Sequence, residues 1–206
     1  MTKRDAGKFE RNERDFYATP EEPIWKLLPE LQGVTTFAEP MCGDGAIVKT
    51  LEARGWECAW ISDMEPLDDM IARANMACEV DLVTDGDLMD CDVIISNPPW
   101  PLPPNKLNGA EPGSPTVPII RHLMAIKPTW FLLSSDFMHN RYFEDLAPFC
   151  HKTVSVGRVS WQGNGKKGFD NAVWYLFDAS HENPNPWFRP NTTPSKAYHP
   201  SIEDML

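Results

Sequence analysis

Short apolar runs bounded by polar turns alternate along this chain with segments in which apolar residues recur three and four positions apart. The first pattern indicates buried strands and the second indicates amphipathic helices. Strands are predicted over residues 35–39, 57–63, 77–81, 93–95, 129–134, 153–156 and 170–177. Helices are predicted over residues 20–31, 46–54, 117–126 and 136–146. This alternation predicts an α/β, doubly wound sheet.

The first predicted helix carries a start signal. Thr19 is predicted as its N-cap, with Pro20 at the first helical position and Glu22 completing a capping box. The highly charged residues 1–14 in front of it predict a solvated, flexible arm, and a basic arm lying on phosphate is the alternative. Residues 179–206 are rich in proline and asparagine and predict a tail.

The strand over 93–95 ends abruptly in Asn97-Pro98-Pro99-Trp100. Neither proline can donate a strand hydrogen bond, and the residue before a proline is pushed toward an extended conformation. The segment therefore predicts a rigid loop at the carboxyl end of a strand, where open α/β sheets place their ligands. A proline turn that merely ends a strand is the alternative interpretation.

This tetrapeptide resembles the catalytic motif of S-adenosylmethionine-dependent amino-methyltransferases, above all the DNA adenine-N6 enzymes. The resemblance implies a catalytic role for Asn97, Pro98, Pro99 and Trp100. The Asn97 side-chain oxygen and the Pro98 carbonyl would accept the hydrogens of a target amine, so that its lone pair is localised and aimed without a strong base. Trp100 would stack on the target ring, and Asn97 would also lie beside the cofactor.

A glycine turn follows the first predicted strand. Glu39-Pro40 precedes Gly43-x-Gly45, and glycines allow a backbone to approach a ligand closely. The segment resembles the cofactor-binding motif of methyltransferases, which implies that Glu39, Pro40, Gly43 and Gly45 bind the cofactor. A dinucleotide fingerprint is not favoured, because Val48 stands where a third glycine is needed. A tight turn between strand and helix is the alternative.

Further cofactor contacts follow from acids and from the amino-terminal segment. Asp63 ends the second predicted strand, 18 residues after Gly45, near the spacing at which an acid binds ribose hydroxyls. Tyr17, Thr19 and Pro20 resemble the D-x-Y-x-T-P box of phage-type adenine methyltransferases, which implies contact with the methionine carboxylate of the cofactor. The acid that meets the cofactor adenine stays open; its candidates are Asp81, Asp85 and Asp87.

Two loops are predicted to contact substrate. Residues 98–116 are predicted to form a proline-rich loop over the active site, and Lys106 is its one cation. The loop could act as a lid that contacts substrate, or it could be disordered. The second loop lies between the last two strands and contains Trp161, Lys166 and Lys167. These residues suit a flipped base or a phosphate. For Trp161, an aromatic packed on a sheet edge is the alternative.

Composition limits the possible partners. The net charge is −11, and residues 57–92 hold eleven acids and one base, so the remainder is close to neutral. No strongly basic face is indicated, which predicts weak, salt-sensitive nucleic-acid binding. The five cysteines form no C-x-x-C pair and suggest neither a zinc site nor a disulfide framework, as expected for a reducing cytoplasm. No apolar run approaches the length of about 20 residues that crosses a membrane.

The resemblance covers residues 15–178 and implies a Rossmann-like class I methyltransferase domain, with a seven-stranded, mostly parallel sheet whose last strand is antiparallel. It implies S-adenosyl-L-methionine as cofactor, no metal, and methylation of adenine N6 in duplex or single-stranded DNA. Because no target-recognition domain fits in the chain, low sequence specificity, a homodimer or a partner recognition subunit is expected. The chain most resembles short phage-encoded adenine methyltransferases, and the resemblance implies that its product protects DNA against restriction in a bacterial host. Alternatives are methylation of RNA adenine or protein glutamine, or a cofactor-binding scaffold subunit.

Overall fold

A computed structural model describes residues 18–63, 67, 75–76, 90–100, 116–168 and 170–183. Its strands are β1 Thr36–Glu39, β2 Glu57–Asp63, β3 Asn75–Met76, β4 Val93–Ser96, β5 Thr129–Ser134, β6 Cys150–Arg158 and β7 Asn171–Phe177. They form one seven-stranded sheet in the order β3-β2-β1-β4-β5-β7-β6. Six of these strands have four residues or more, and β3 has only two.

The direction of the strands matches the predicted fold class. The pairs β1–β2, β1–β4, β2–β3 and β4–β5 are parallel. The last strand, β7, runs antiparallel to both β5 and β6. All four residues of β4 are buried, as expected for a central strand covered on both faces. An α/β, mostly parallel sheet with an antiparallel last strand is therefore confirmed.

Helices cover both faces of the sheet. They are α1 Glu21–Leu27, α2 Ala46–Glu52 and α3 Thr116–Ile126. The first two pack with one set of alternate strand residues, including Val93 and Ile95, whereas α3 packs with the other set, which includes Ile94. Among the described residues, no helix is both long and apolar enough to cross a membrane.

The prediction of an α-helix over residues 136–146 is wrong. Two short 3-10 helices occupy the region, Ser135–His139 and Arg141–Phe143, and a third, Ala147–Phe149, follows it. Asn140 is extended (φ −89°, ψ 151°), and its side-chain amide donates to the carbonyls of Asp136 and Phe137 at 2.7 and 3.3 Å. Such side-chain bonds compete with the backbone bonds of an α-helix. The apolar spacing predicted burial there, but not the hydrogen-bond pattern.

The predicted cap of the first helix is also wrong. Pro20, not Thr19, is the N-cap of α1, and no side chain caps the helix. Hydrogen bonds with β6 and β7 hold the helix instead. The Trp174 indole N–H donates to the Pro23 carbonyl at 2.8 Å, and the Lys26 ammonium donates to the Val156 carbonyl at 2.6 Å. The first and last turns of α1 are thereby attached to the antiparallel end of the sheet.

Asp92 fixes the amino ends of two central strands. Its Oδ2 accepts hydrogen bonds from the Thr35 backbone N–H, the Thr35 hydroxyl and the Thr36 backbone N–H at 2.7, 2.8 and 2.9 Å. These bonds hold the pKa of Asp92 well below its ordinary range. These hydrogen bonds support the β1–β4 register, in which Phe37 lies opposite Val93. The carboxyl ends of both strands consequently reach the same edge of the sheet.

Candidate active site

Three adjacent strands bring predicted site residues to one edge of the sheet. In the order β2-β1-β4, the strands end at Asp63, Glu39 and Ser96, and Asn97 follows directly. The hairpin between β6 and β7 leaves the same edge, because Ala172 in β7 pairs with Ser134 at the carboxyl end of β5. Open α/β sheets bind ligands at such an edge.

The glycine turn is tied to the end of β2. Gly43 and Gly45 have φ values of 52° and 73°, in the left-handed region that favours glycine. The Gly43 N–H donates to Asp63 Oδ2 at 2.8 Å, and this bond opposes the rise that burial causes in the Asp63 pKa. The Ser62 hydroxyl donates to the Pro40 carbonyl at 3.2 Å. The turn thus presents a backbone surface with a partly buried carboxylate beside it.

Glu39 is buried with part of its carboxylate unpaired. The residue is 2% exposed, and its Oε2 has no hydrogen-bond partner within the described part of the chain. Burial raises the pKa of Glu39 well above its ordinary value of 4.5, while a hydrogen bond from the Val48 backbone opposes the rise and the charges of Asp44 and Asp63 add to it. An unpaired buried carboxylate costs folding free energy, and such groups are concentrated at functional sites.

Replacing Glu39 with glutamine is therefore expected to stabilise the fold. Between the ordinary and the raised pKa, the folded protein binds more protons than the unfolded chain, so wild-type stability falls as pH rises through that range. At about pH 8, Glu39→Gln should raise the melting temperature by roughly 2–8 °C, from about 1–2 kcal/mol. Thermal melts between about pH 5 and pH 8 should show that the difference in melting temperature between Glu39→Gln and the wild type grows with pH.

The matched control is the exposed Glu57, at the start of β2. Glu57→Gln should leave the melting temperature unchanged at every pH. A Glu39→Gln protein less stable than the wild type at high pH, or a gap independent of pH, would contradict the expectation.

Asn97 is held by a hydrogen bond on each side of its amide. Its Nδ2 donates to the Thr19 hydroxyl oxygen at 3.1 Å, and its Oδ1 accepts the Trp100 indole N–H at 3.2 Å. An indole N–H can only donate, so the amide oxygen must be the atom that faces Trp100. The nitrogen then faces Thr19. The two contacts together determine which way the half-buried amide points.

Trp100 is anchored to β5 and covered by the hairpin. Its indole N–H also donates to the Leu132 carbonyl at 3.0 Å. Trp161 contacts the Trp100 ring edge to face, with 5.3 Å between ring centroids and an interplanar angle of 86°. Trp161 is thus both a packed aromatic and a neighbour of the proline motif. On the other side, the Thr116 hydroxyl at the start of α3 donates to the Pro99 carbonyl at 2.5 Å.

The hairpin also carries two cations. Lys166 and Lys167 have exposed side chains at the same edge as Asn97. The Lys166 backbone N–H donates to Asn164 Oδ1 at 2.9 Å, and the Gly168 N–H donates to the Val159 carbonyl at 2.8 Å. These bonds give the loop a defined shape, so the two ammonium groups extend from an ordered turn.

Several predicted residues lie outside the described residues; they are Tyr17, Asp81, Asp85, Asp87 and Lys106. The predicted third strand over 77–81 lies there too, and the described third strand is at Asn75–Met76. Sequence reasoning missed the contacts of Thr116 and Leu132 with the motif. The only available signal was the position of Thr116 just before a predicted helix.

A second polar cluster lies at the opposite edge of the sheet. His151, Asp178 and His181 place ligand-type atoms within 4.8 Å of one another. His151 Nε2 lies 3.1 and 3.2 Å from the carbonyls of Asp178 and His181, and His181 Nδ1 lies 2.9 Å from the Ser180 hydroxyl. These contacts join the segment after β7 to the start of β6, away from Asn97.

Solved structures of other proteins share this fold. A candidate class I S-adenosylmethionine-dependent methyltransferase from Listeria monocytogenes aligns over 84% of this chain with a TM-score of 0.51 and 15% identity. The chain spans 64% of the length of that protein. A candidate RNA methyltransferase from Pyrococcus horikoshii aligns over 79% of this chain and 85% of its own, with a TM-score of 0.51 and 13% identity.

No protein-family model matches the sequence, and no curated protein matches it either. At such low identities the structural likeness establishes the fold alone. The fold is that of class I S-adenosylmethionine-dependent methyltransferases.

Proposed function

We propose that this protein, with its class I methyltransferase fold, transfers a methyl group from S-adenosylmethionine to the N6 amine of adenine in DNA, with low sequence specificity. The observation that carries the proposal is the orientation of Asn97. Its amide is held by Thr19 and Trp100 at the ligand-binding edge, beside a glycine turn and an unpaired buried carboxylate. This combination suits recognition of an amine next to a nucleoside-containing cofactor.

The residues at this edge fit the proposed cofactor. S-adenosylmethionine, when bound, supplies an electrophilic methyl group on a cationic sulfur. An ionised Glu39, with its unpaired Oε2, would match the charge of an α-ammonium group, and that contact would oppose the burial that raises its pKa. Asp63 offers a carboxylate for ribose hydroxyls, while the positive φ values of Gly43 and Gly45 leave a turn without side chains for close approach.

The chain's own groups can activate an amine without a strong base. A carbonyl oxygen has two lone pairs, and the Trp100 N–H uses one lone pair of Asn97 Oδ1. The second is available for one hydrogen of the target amine, and the Pro98 backbone carbonyl can accept the other. Both bonds draw the nitrogen lone pair out of conjugation with the ring and aim it. After transfer, the excess proton leaves the amine to solvent.

The hairpin supports a nucleic-acid substrate. Lys166 and Lys167 place two exposed positive charges at the edge where Asn97 lies. Trp161 and Trp100 form an aromatic pair beside the same motif, and aromatic side chains hold bases that have left the stack. The overall charge of −11 makes this attraction local, so binding should be weak and salt-sensitive.

Methyl transfer to a panel of substrates tests the proposal. The purified chain would be incubated with S-adenosylmethionine labelled on the methyl group and with duplex DNA, single-stranded DNA, RNA or a bacterial protein extract. Label released as N6-methyladenine from DNA is the expected result, at many different sequences. Label confined to RNA or protein would replace the proposed substrate, and cofactor binding with no transfer to any substrate would support a scaffold subunit.

A further inference from the structure

The hydroxyl of Thr19 contacts the side chain of Asn97, although 78 residues separate them in sequence. Thr19 is 7% exposed, and its Oγ1 accepts the Asn97 Nδ2 hydrogen at 3.1 Å. We propose that Thr19 is a positioning residue that holds the Asn97 amide with its oxygen toward the target amine. This inference rests on the proposed function. It gives Thr19 a role in orienting the amine acceptor rather than a direct cofactor contact.

The need for a partner on the nitrogen side follows from the chemistry of the amide. Trp100 donates to the Asn97 oxygen, but a single hydrogen bond leaves the amide plane free to tilt about it. The Thr19 oxygen supplies the second fixed point. Without it, a half-buried Nδ2 would lose its acceptor and the amide would turn toward water, which moves the oxygen as well. An acceptor displaced by about 1 Å can cost about 10²-fold in rate.

The position of Thr19 is itself set by distant packing. The helix that follows it buries Ile24 and Leu27 completely against the sheet. Trp174 donates to the Pro23 carbonyl in the first turn and Lys26 donates to the Val156 carbonyl from the last turn, so the antiparallel strands hold both ends of the helix. The packing of α1 against the sheet therefore fixes the position of Thr19 beside Asn97. This rigidity is what a positioning residue requires.

Three variants separate the roles of Thr19. Thr19→Val keeps the shape and removes the acceptor, Thr19→Ser keeps the hydroxyl, and Thr129→Val is the control. Thr129 is a fully buried threonine at the start of β5, whose hydroxyl donates to the Lys127 carbonyl at the opposite edge of the sheet. Each variant is first checked for cooperative thermal unfolding, so that kinetic changes are compared among folded proteins.

The expected kinetic result is a loss confined to kcat. Thr19→Val should lower kcat by about 10- to 100-fold and change the Kd for S-adenosylmethionine by less than about threefold. Thr19→Ser should restore kcat to within about threefold of the wild type, and Thr129→Val should leave it there as well. A normal kcat in Thr19→Val overturns the proposal. So does a loss that falls on the Kd alone, or a serine variant as slow as the valine variant.

A second readout does not depend on activity. In ¹H–¹⁵N spectra, the Asn97 side-chain NH₂ signals are assigned as those that vanish in Asn97→Ala. In the wild type and in Thr19→Ser these protons should exchange with water at least about tenfold more slowly than in Thr19→Val. Equal exchange in all three proteins overturns the positioning role. A wild type that shows the protection but methylates nothing on the panel refutes the proposed function and leaves the Thr19–Asn97 contact established.

Discussion

Asn97→Ala is expected to lower the kcat of methyl transfer to DNA adenine by about 10²- to 10³-fold, while the Kd for S-adenosylmethionine changes by less than about threefold. The alanine removes the oxygen that would accept an amine hydrogen, and it also frees Thr19 and the Trp100 indole from their contacts with the amide. The glycine turn lies between β1 and α2, and the substitution does not alter its residues. Single-turnover transfer and calorimetric titration of the cofactor measure the two quantities separately.

Asn97→Asp is the matched comparison. A carboxylate keeps an acceptor for the amine and for the Trp100 N–H, and the Thr19 hydroxyl can rotate to donate to its second oxygen. We therefore expect Asn97→Asp to retain kcat within about tenfold of the wild type. If alanine and aspartate were equally harmful, the side chain would serve packing rather than amine recognition. If alanine abolished cofactor binding, Asn97 would belong to the cofactor site instead.

The second large effect is expected at the glycine turn, where Gly43→Val should raise the Kd for S-adenosylmethionine by at least about 10²-fold. At a φ of 52°, a β-branched residue is strained, and its side chain would stand on the turn that the cofactor is proposed to approach. The backbone N–H that donates to Asp63 is retained in the variant, so the loss would report the added side chain and the altered backbone.

Gly33→Val separates strain from binding. Gly33 has a φ of 83°, and a Cβ built there meets nothing within 4 Å. It precedes β1 and lies away from the carboxyl edge. Both valine variants should lose stability by about 1–3 kcal/mol, but only Gly43→Val should lose cofactor affinity. Equal affinity losses in the two proteins would attribute the effect to general destabilisation, and an unchanged Kd in Gly43→Val would place the cofactor elsewhere.

Element type was predictable wherever burial and periodicity agreed. The predicted bounds of β2 and β5 match the structure, because continuous apolar runs are bounded there by polar residues. The predictions failed where side-chain hydrogen bonds decided the outcome. The side-chain bonds of Asn140 interrupt the helix that was expected over 136–146. Thr19 does not cap α1; its hydroxyl oxygen instead accepts a hydrogen bond from the distant Asn97 side chain.

The sequence by itself determined the fold class, the glycine turn and the end of β4 just before Asn97, because periodicity, glycine and proline act on neighbouring residues. It also predicted that this loop lies at the carboxyl end of a strand, where open α/β sheets place their ligands. Only the tertiary structure decided which side chains meet there. Packing of α1 against β6 and β7 brings Thr19 to Asn97, and the hairpin brings Trp161 to Trp100. Such contacts depend on the summed geometry of several elements, which no local pattern encodes.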